Sequence, residues 1–167
     1  MNYIGISDFD TANGPGVRVS LFVSGCRLRC RGCFNPESWD FDAGKPYDES
    51  VQERLLKALE EDYVDGLSLL GGDPLEPENV EVLTELCRAV REKFGNKKTI
   101  WLWTGRLYDK VKELEIFQYT RTLKNMIQYV DTVVDGPFIE KFKVEGKGNW
   151  FGSSNQRVIP IRCEVAA

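Results

Sequence analysis

The chain has 167 residues and a mass of 19.1 kDa, 42% hydrophobic, 11% aromatic and 29% charged, which fits one globular domain over residues 1–167 and excludes a disordered or collagen-like chain. With 22 basic against 26 acidic side chains the net charge is −4 and the pI near 5.1, so a role resting on bulk attraction to nucleic acid is excluded. Histidine is absent, which removes Ser-His-Asp and Cys-His catalysis, histidine-rich metal sites and the usual near-neutral proton carrier. No apolar run approaches the roughly 20 residues of a membrane span, and the first five residues lack the basic-then-apolar pattern of a secretory signal. A cytoplasmic protein with no membrane or nucleic-acid partner is expected.

In chain order, the turn-forming Asn13-Gly14-Pro15-Gly16 leads into the first predicted strand, residues 17–23, which is β-branched, aromatic and partly alternating. The turn has the look of an anion-binding nest, but nothing requires a phosphate there and it is assigned as a turn. A cysteine-rich stretch and Gly44-Lys45-Pro46 precede a helix in which Ser50 and Glu53 form a capping box and Val51, Leu55, Leu59 and Tyr63 share one face. Residues 66–70 form a short buried strand closed by Gly71-Gly72-Asp73-Pro74. Leu83, Leu86, Cys87, Val90 and Phe94 then mark a helix capped by Gly95, and residues 99–103 a third strand.

Helical patterns around Leu107, Val111 and Leu114 and around Leu123, Ile127 and Val130 precede a fourth strand at 132–134. Residues 149–157 form a polar run leading to an edge strand at Val158-Ile159-Pro160-Ile161. Alternating strands and helices imply an α/β fold with a parallel sheet. A complete eight-fold barrel takes about 250 residues, so an incomplete (β/α) barrel is expected, with ligands at the carboxyl ends of its strands.

Cys26, Cys30 and Cys33 form a CxxxCxxC pattern among five cysteines, an odd number with three inside eight residues, which does not suit a disulfide framework in a reducing compartment. Three readings of the pattern stand. It could be a helix face, although Gly25 and Gly32 and the preceding strand speak against that. It could hold zinc, but a closed site needs four ligands and only Cys87, in an apolar helix stripe, or Cys163, near the chain's end, is left to complete it. Or it could hold a 4Fe-4S cluster on three thiolates, leaving one iron open to a small molecule. Arg27, Arg29 and Arg31 between the cysteines could help keep the thiols deprotonated.

The glycines of Gly71-Gly72-Asp73-Pro74 would let backbone carbonyls approach an ammonium group, with Asp73 adding negative charge. Thr104, at the end of the third strand, is a further ligand candidate, whereas Trp101 and Trp103 fit a packed core better than a ligand role. Asp135 is a turn residue by type and a site candidate by position.

At its cysteines the chain resembles the radical S-adenosylmethionine superfamily, whose signature is CxxxCx(aromatic)C. Gly32 stands at the usually aromatic place, as is usual in the activating proteins of anaerobic ribonucleotide reductase. The chain resembles those proteins over nearly its whole length: Asn13-Gly14-Pro15-Gly16, Leu21-Phe22-Val23-Ser24-Gly25-Cys26, Cys33-Phe34-Asn35-Pro36, Gly71-Gly72-Asp73-Pro74-Leu75, Trp103-Thr104-Gly105, Val134-Asp135-Gly136-Pro137-Phe138 and Gly152-Ser153-Ser154-Asn155-Gln156-Arg157. The family often has arginine where this chain has Phe151.

The resemblance implies an incomplete radical-SAM barrel, a 4Fe-4S cluster on Cys26, Cys30 and Cys33, and S-adenosylmethionine bound by Gly71, Gly72, Asp73 and Thr104, with Gly32, Cys33 and Phe34 near its adenine. It implies reductive cleavage of that cofactor to a 5′-deoxyadenosyl radical, which takes hydrogen from a glycine of the catalytic subunit of anaerobic ribonucleoside-triphosphate reductase. The electron comes from an external one-electron reductant such as flavodoxin. Competing readings are a pyruvate formate-lyase type activase, a carboxy-deazaguanine type radical enzyme and a plain iron-sulfur electron carrier. Two further expectations follow: that Gly72→Val blocks the cofactor while sparing the cluster, and that residues 149–157 offer a polar edge to the partner.

Overall fold

The computed structural model describes residues 1–113, 119–146 and 148–161. Among the described residues seven strands form one sheet: β1 (Asn2–Asp10), β2 (Arg18–Val23), β3 (Lys45–Pro46), β4 (Gly66–Gly71), β5 (Thr99–Trp103), β6 (Thr132–Asp135) and β7 (Arg157–Pro160), in the spatial order β3-β1-β2-β4-β5-β6-β7. The middle strands β2, β4, β5 and β6 are parallel, joined in turn through α1 (Glu49–Ala58), α2 (Pro77–Phe94), and α3 (Tyr108–Glu113) with α4 (Tyr119–Ile127). The expected parallel sheet is therefore its centre only. Antiparallel β1, β3 and β7 flank it, and the sheet stays open, with β3 and β7 as edges. Among the described residues no helix is long and apolar enough to cross a membrane.

Side chains alternate across the central strands and give the sheet two different faces. Val19, Leu21 and Val23 of β2, Leu67 and Leu69 of β4, Ile100 and Leu102 of β5 and Val133 of β6 join one core with Leu55 of α1, Leu83, Leu86, Cys87 and Val90 of α2 and Leu123 and Met126 of α4. Burying each such leucine contributes about 1.5–3 kcal/mol. The intervening residues, Arg18, Ser20, Phe22, Ser68, Leu70, Trp101 and Trp103, belong to the opposite face.

At the amino ends of the strands that opposite face is closed by Arg18, which has no solvent exposure. Its guanidinium donates to Ser68 Oγ at 2.6 Å, the Leu67 carbonyl at 2.7 Å and the Thr99 carbonyl at 2.9 Å, and lies 5.8 Å from the Trp101 ring. Burial lowers its pKa to about 10, so it stays charged at neutral pH. Gly14, at φ +114°, packs against this side chain: a Cβ there would stand 2.5 Å from Arg18 Cδ. The Asn13–Gly16 turn thus covers the arginine, and Asp10 anchors it by accepting from the backbone N–H groups of Ala12 and Asn13 and from the Asn13 amide.

Two local expectations are corrected. Helix α1 is capped by Asp48, which accepts from the Val51 N–H at 3.1 Å, and Ser50 donates to that same carboxylate instead of forming a box with Glu53. Tyr63 lies beyond the end of α1 and is 55% exposed, so the four-residue repeat ends at Leu59. Helix α2 ends as expected at Gly95, whose φ of +57° suits a residue without a side chain. Leu114 and Cys163 lie outside the described residues.

Candidate functional site

Because β2, β4, β5 and β6 run parallel and end within a residue of one another, with Val23 beside Gly71 and Trp103 beside Val134, the loops that follow gather at one end of the sheet. The loop after β2 carries the cysteines, and its root is pinned through backbone N–H groups. Gly25 donates to the Ser38 carbonyl at 2.8 Å, Cys26 to the Trp39 carbonyl at 3.1 Å and Arg27 to the buried Glu76 carboxylate at 2.8 Å. The outer part of the loop is more open: Arg29 takes φ +45°, and Arg31 is 95% exposed in its ion pair with Glu140.

Between these loops lies a cavity of about 420 Å³, within the range of small-molecule sites. Cys26, Cys30, Cys33 and Phe34 stand in its wall together with Gly71, Gly72 and Thr104, three elements that are distant in sequence. Aromatic rings supply much of the rest: Phe22, Trp39, Trp103, Phe138, Trp150 and Phe151. Of the residues expected at the site, Gly32 and Asp73 do not line the cavity. Gly32, at φ +72°, is an exposed turn residue beside the Glu140 side chain.

The cysteine side chains are half-buried, and burial pushes the Cys26 thiol up to about 11 and that of Cys30 above its ordinary value. Against burial, the backbone N–H groups of Leu28 and Arg29 favour the Cys26 thiolate and that of Phe138 the Cys30 thiolate, and Asn35 N–H donates to Cys33 Sγ at 3.4 Å. Among the described residues no three His, Cys, Asp or Glu side chains are drawn together around a single-ion position. What fits iron is the donor chemistry: three soft sulfur ligands on one cavity wall, with N–H groups directed at sulfur, a feature that tunes iron-sulfur centres.

Gly71 and Gly72 are glycine for steric reasons. A Cβ on Gly71, at φ +106°, would meet the Val23 nitrogen at 2.6 Å, and one on Gly72 would meet the Gly25 carbonyl oxygen at 2.5 Å and that of Ser38 at 3.0 Å. This corrects the expectation for Gly72→Val: the new side chain would displace the root of the cysteine loop, so the substitution does not separate cofactor from cluster. Asp73 points beneath the cavity. Its carboxylate accepts from Thr104 Oγ1 at 2.9 Å and from the Leu75 N–H at 2.9 Å, and lies 3.6 Å from Arg106. Burial raises its pKa to about 6 in spite of these partners. Thr104 also accepts from the Arg106 N–H, so its hydroxyl is engaged within the protein.

The end of β6 and the segment after it depart from expectation in the same way. Asp135, without solvent exposure, accepts from the Tyr108 N–H at 2.8 Å and from Arg157, which also reaches Asp109. Burial alone would raise the Asp135 pKa, but Arg157 and the Tyr108 N–H outweigh it and hold it below the ordinary value. Gln156 accepts from the N–H groups of Gly152 and Ser153 and donates to the Gly136 carbonyl, while Asn155 donates to that of Pro137. The expected polar edge is thus largely turned inward, and strand β7 closes on β6. Trp103, expected as core, lines the cavity and donates its indole N–H to the Trp150 carbonyl at 2.6 Å.

Residues 12–159 match the model of the 4Fe-4S single cluster domain. The chain is 39% identical over 158 residues to the anaerobic ribonucleoside-triphosphate reductase-activating protein of Enterobacteria phage T4, covering 95% of this chain and 93% of that protein. It is 40% identical over 159 residues to the protein of that name from Pasteurella multocida, covering 93% and 95%, and 34% identical over 164 residues to that of Escherichia coli K12, covering 97% and 100%. The cavity that joins three cysteines to a glycine pair therefore sits in a chain that belongs to the family of anaerobic ribonucleoside-triphosphate reductase-activating proteins.

Proposed function

We propose that the chain is a glycyl-radical activase of the radical S-adenosylmethionine class, working as one cytoplasmic domain over residues 1–167 on the catalytic subunit of anaerobic ribonucleoside-triphosphate reductase. The open sheet is the incomplete barrel of that class. Cys26, Cys30 and Cys33 hold a 4Fe-4S cluster, and S-adenosylmethionine occupies the cavity. The observation that carries this reading is that the three cysteines and Gly71–Gly72 face one cavity although 37 residues lie between Cys33 and Gly71.

A 4Fe-4S cluster held by Cys26, Cys30 and Cys33, with S-adenosylmethionine in the cavity beside Gly71 and Gly72, would supply one-electron reductive chemistry directed at a glycine of the reductase. The chain's residues bind, orient and shield. Close-packed glycine backbone at Gly71 and Gly72 leaves carbonyl groups free of side-chain obstruction for an ammonium. Asp73 acts from behind: by accepting from Thr104 it fixes the cavity wall, and its charge favours an ammonium nearby. Phe34, packed on Phe138 at 4.9 Å between ring centroids, gives an apolar surface for the adenine beside Cys33. The aromatic wall keeps water from a reactive carbon centre. The electron arrives from an external one-electron carrier such as flavodoxin.

Anaerobic reconstitution with iron and sulfide, followed by dithionite and S-adenosylmethionine, tests this. Release of 5′-deoxyadenosine and methionine in equal amounts is expected. A chain that assembles its cluster but leaves the cofactor uncleaved would be an electron carrier instead.

A further inference from the structure

Three loops of the site meet at one acid. Glu76, at the start of α2, has no solvent exposure. One carboxylate oxygen accepts the Arg27 backbone N–H at 2.8 Å. The other accepts from the Arg27 guanidinium at 2.7 Å and stands 3.0 Å from that of Arg106. Arg106 reaches on to Asp73, 3.6 Å away, which takes the Thr104 hydroxyl. The cysteine loop after β2, the glycine motif after β4 and the Thr104 loop after β5 are thereby joined through buried charge, and Arg27 directly follows Cys26.

We infer that Glu76 is a positioning residue: by holding both the N–H and the guanidinium of Arg27 it fixes Cys26 relative to Gly72. The inference rests on the iron-sulfur reading of the cavity. A buried carboxylate is stable only with its partners in place, so Glu76 enforces one arrangement of Arg27 and Arg106. The other ionic ties of the loop are more exposed: Arg27 pairs with Glu78, itself 46% exposed, and Arg31 with Glu140 at 3.2 Å with Arg31 95% exposed, so solvent screening leaves both less holding power than the buried Glu76. Glu76→Gln keeps an acceptor for the Arg27 N–H but turns an amide donor toward the arginines, whereas Glu76→Ala removes both ties to the buried carboxylate and leaves the Arg27 guanidinium only its exposed pair with Glu78.

The test measures two things in the wild type and both variants: amide exchange of residues 26–28 in the metal-free chain, and the rate at which a chelator strips iron from the reconstituted chain. Exchange at 26–28 is expected to quicken in Glu76→Ala while β4 keeps its protection, a local change that general destabilisation does not produce. Iron loss is expected to be about 10-fold faster or more, since losing a partner just outside the ligand shell typically weakens metal binding about 10–100-fold. Glu76→Gln should fall between. Wild-type exchange and wild-type iron loss in both variants would overturn the inference and leave the iron-sulfur reading standing, whereas a wild-type chain that takes up no iron would overturn both. Should Glu76→Ala fail to fold, Arg27→Ala, a change at an exposed side chain, decides on the same readouts when set beside Glu78→Ala, which removes only the exposed pair: faster iron loss in Arg27→Ala alone supports the clamp, and the wild-type rate, or an equal loss in both, overturns it.

Discussion

The two faces of the central strands are built from different kinds of side chain. On the helix side β2, β4 and β5 present Val19, Leu21, Val23, Leu67, Leu69, Ile100 and Leu102, all aliphatic and wholly buried. On the other side the same strands present Arg18, Ser20, Phe22, Ser68, Leu70, Trp101 and Trp103, bound into hydrogen-bond and ring networks or left facing the cavity. Alternation by single residues therefore separates what holds the chain together from what shapes the site. A substitution on one face should leave the other's property nearly untouched.

The strongest test of that separation is at the cysteines. Cys30→Ala removes a half-buried side chain from a loop, so the metal-free variant should melt within about 0.5 kcal/mol of the wild type, the usual span for changes away from the core. Iron content by absorbance should nevertheless fall to background. Leu69→Ala should do the opposite: a cavity in the helix-side core costs about 2–5 kcal/mol by urea unfolding, while the folded fraction still takes up iron.

A finer division appears in pH dependence. Asp73 titrates near 6 in the folded chain against 3.8 as the ordinary value. Between these values the folded chain keeps a proton that the unfolded chain has released, so stability falls as pH rises through this interval. Asp73→Asn should flatten that slope, by an amount on the order of 1–2 kcal/mol in unfolding titrations across the interval. An unchanged slope would place its origin elsewhere. The smallest effect is at Cys87, whose burial in the helix-side core raises its pKa to about 12 and keeps it an apolar packing group. Cys87→Ala should cost on the order of 1 kcal/mol and no iron. Iron loss like that of Cys30→Ala would sink the assignment of three cysteines to the cluster.

Much of the helix-side face was legible in the sequence, because strands buried on both sides write short apolar runs such as Gly66–Gly71 and Thr99–Trp103, and α2 writes a full helical stripe. Strand β1 was not, since most of its residues are only half-buried and leave no run to detect. At the site, the cysteine spacing and the glycine pair were visible as local patterns. The direction of Asp73 was not, because a turn's dihedrals decide whether a carboxylate faces the ligand or the floor beneath it. The Arg27–Glu76 tie spans 49 residues and carries no periodic signal. The inward turn of Gln156 and Asn155 escaped notice because exposed and self-bonded amides look alike in a sequence.

The central claim is that these three cysteines and the glycine-lined cavity act together to place a radical on a glycine of the reductase. The direct measurement is EPR of the reductase after anaerobic incubation with the reconstituted chain, dithionite and S-adenosylmethionine, run in parallel with the Cys30→Ala variant. A glycyl doublet in the wild-type mixture and none with the variant is the predicted result. No doublet with a wild-type chain that holds its cluster, or an equal doublet with Cys30→Ala, would contradict it.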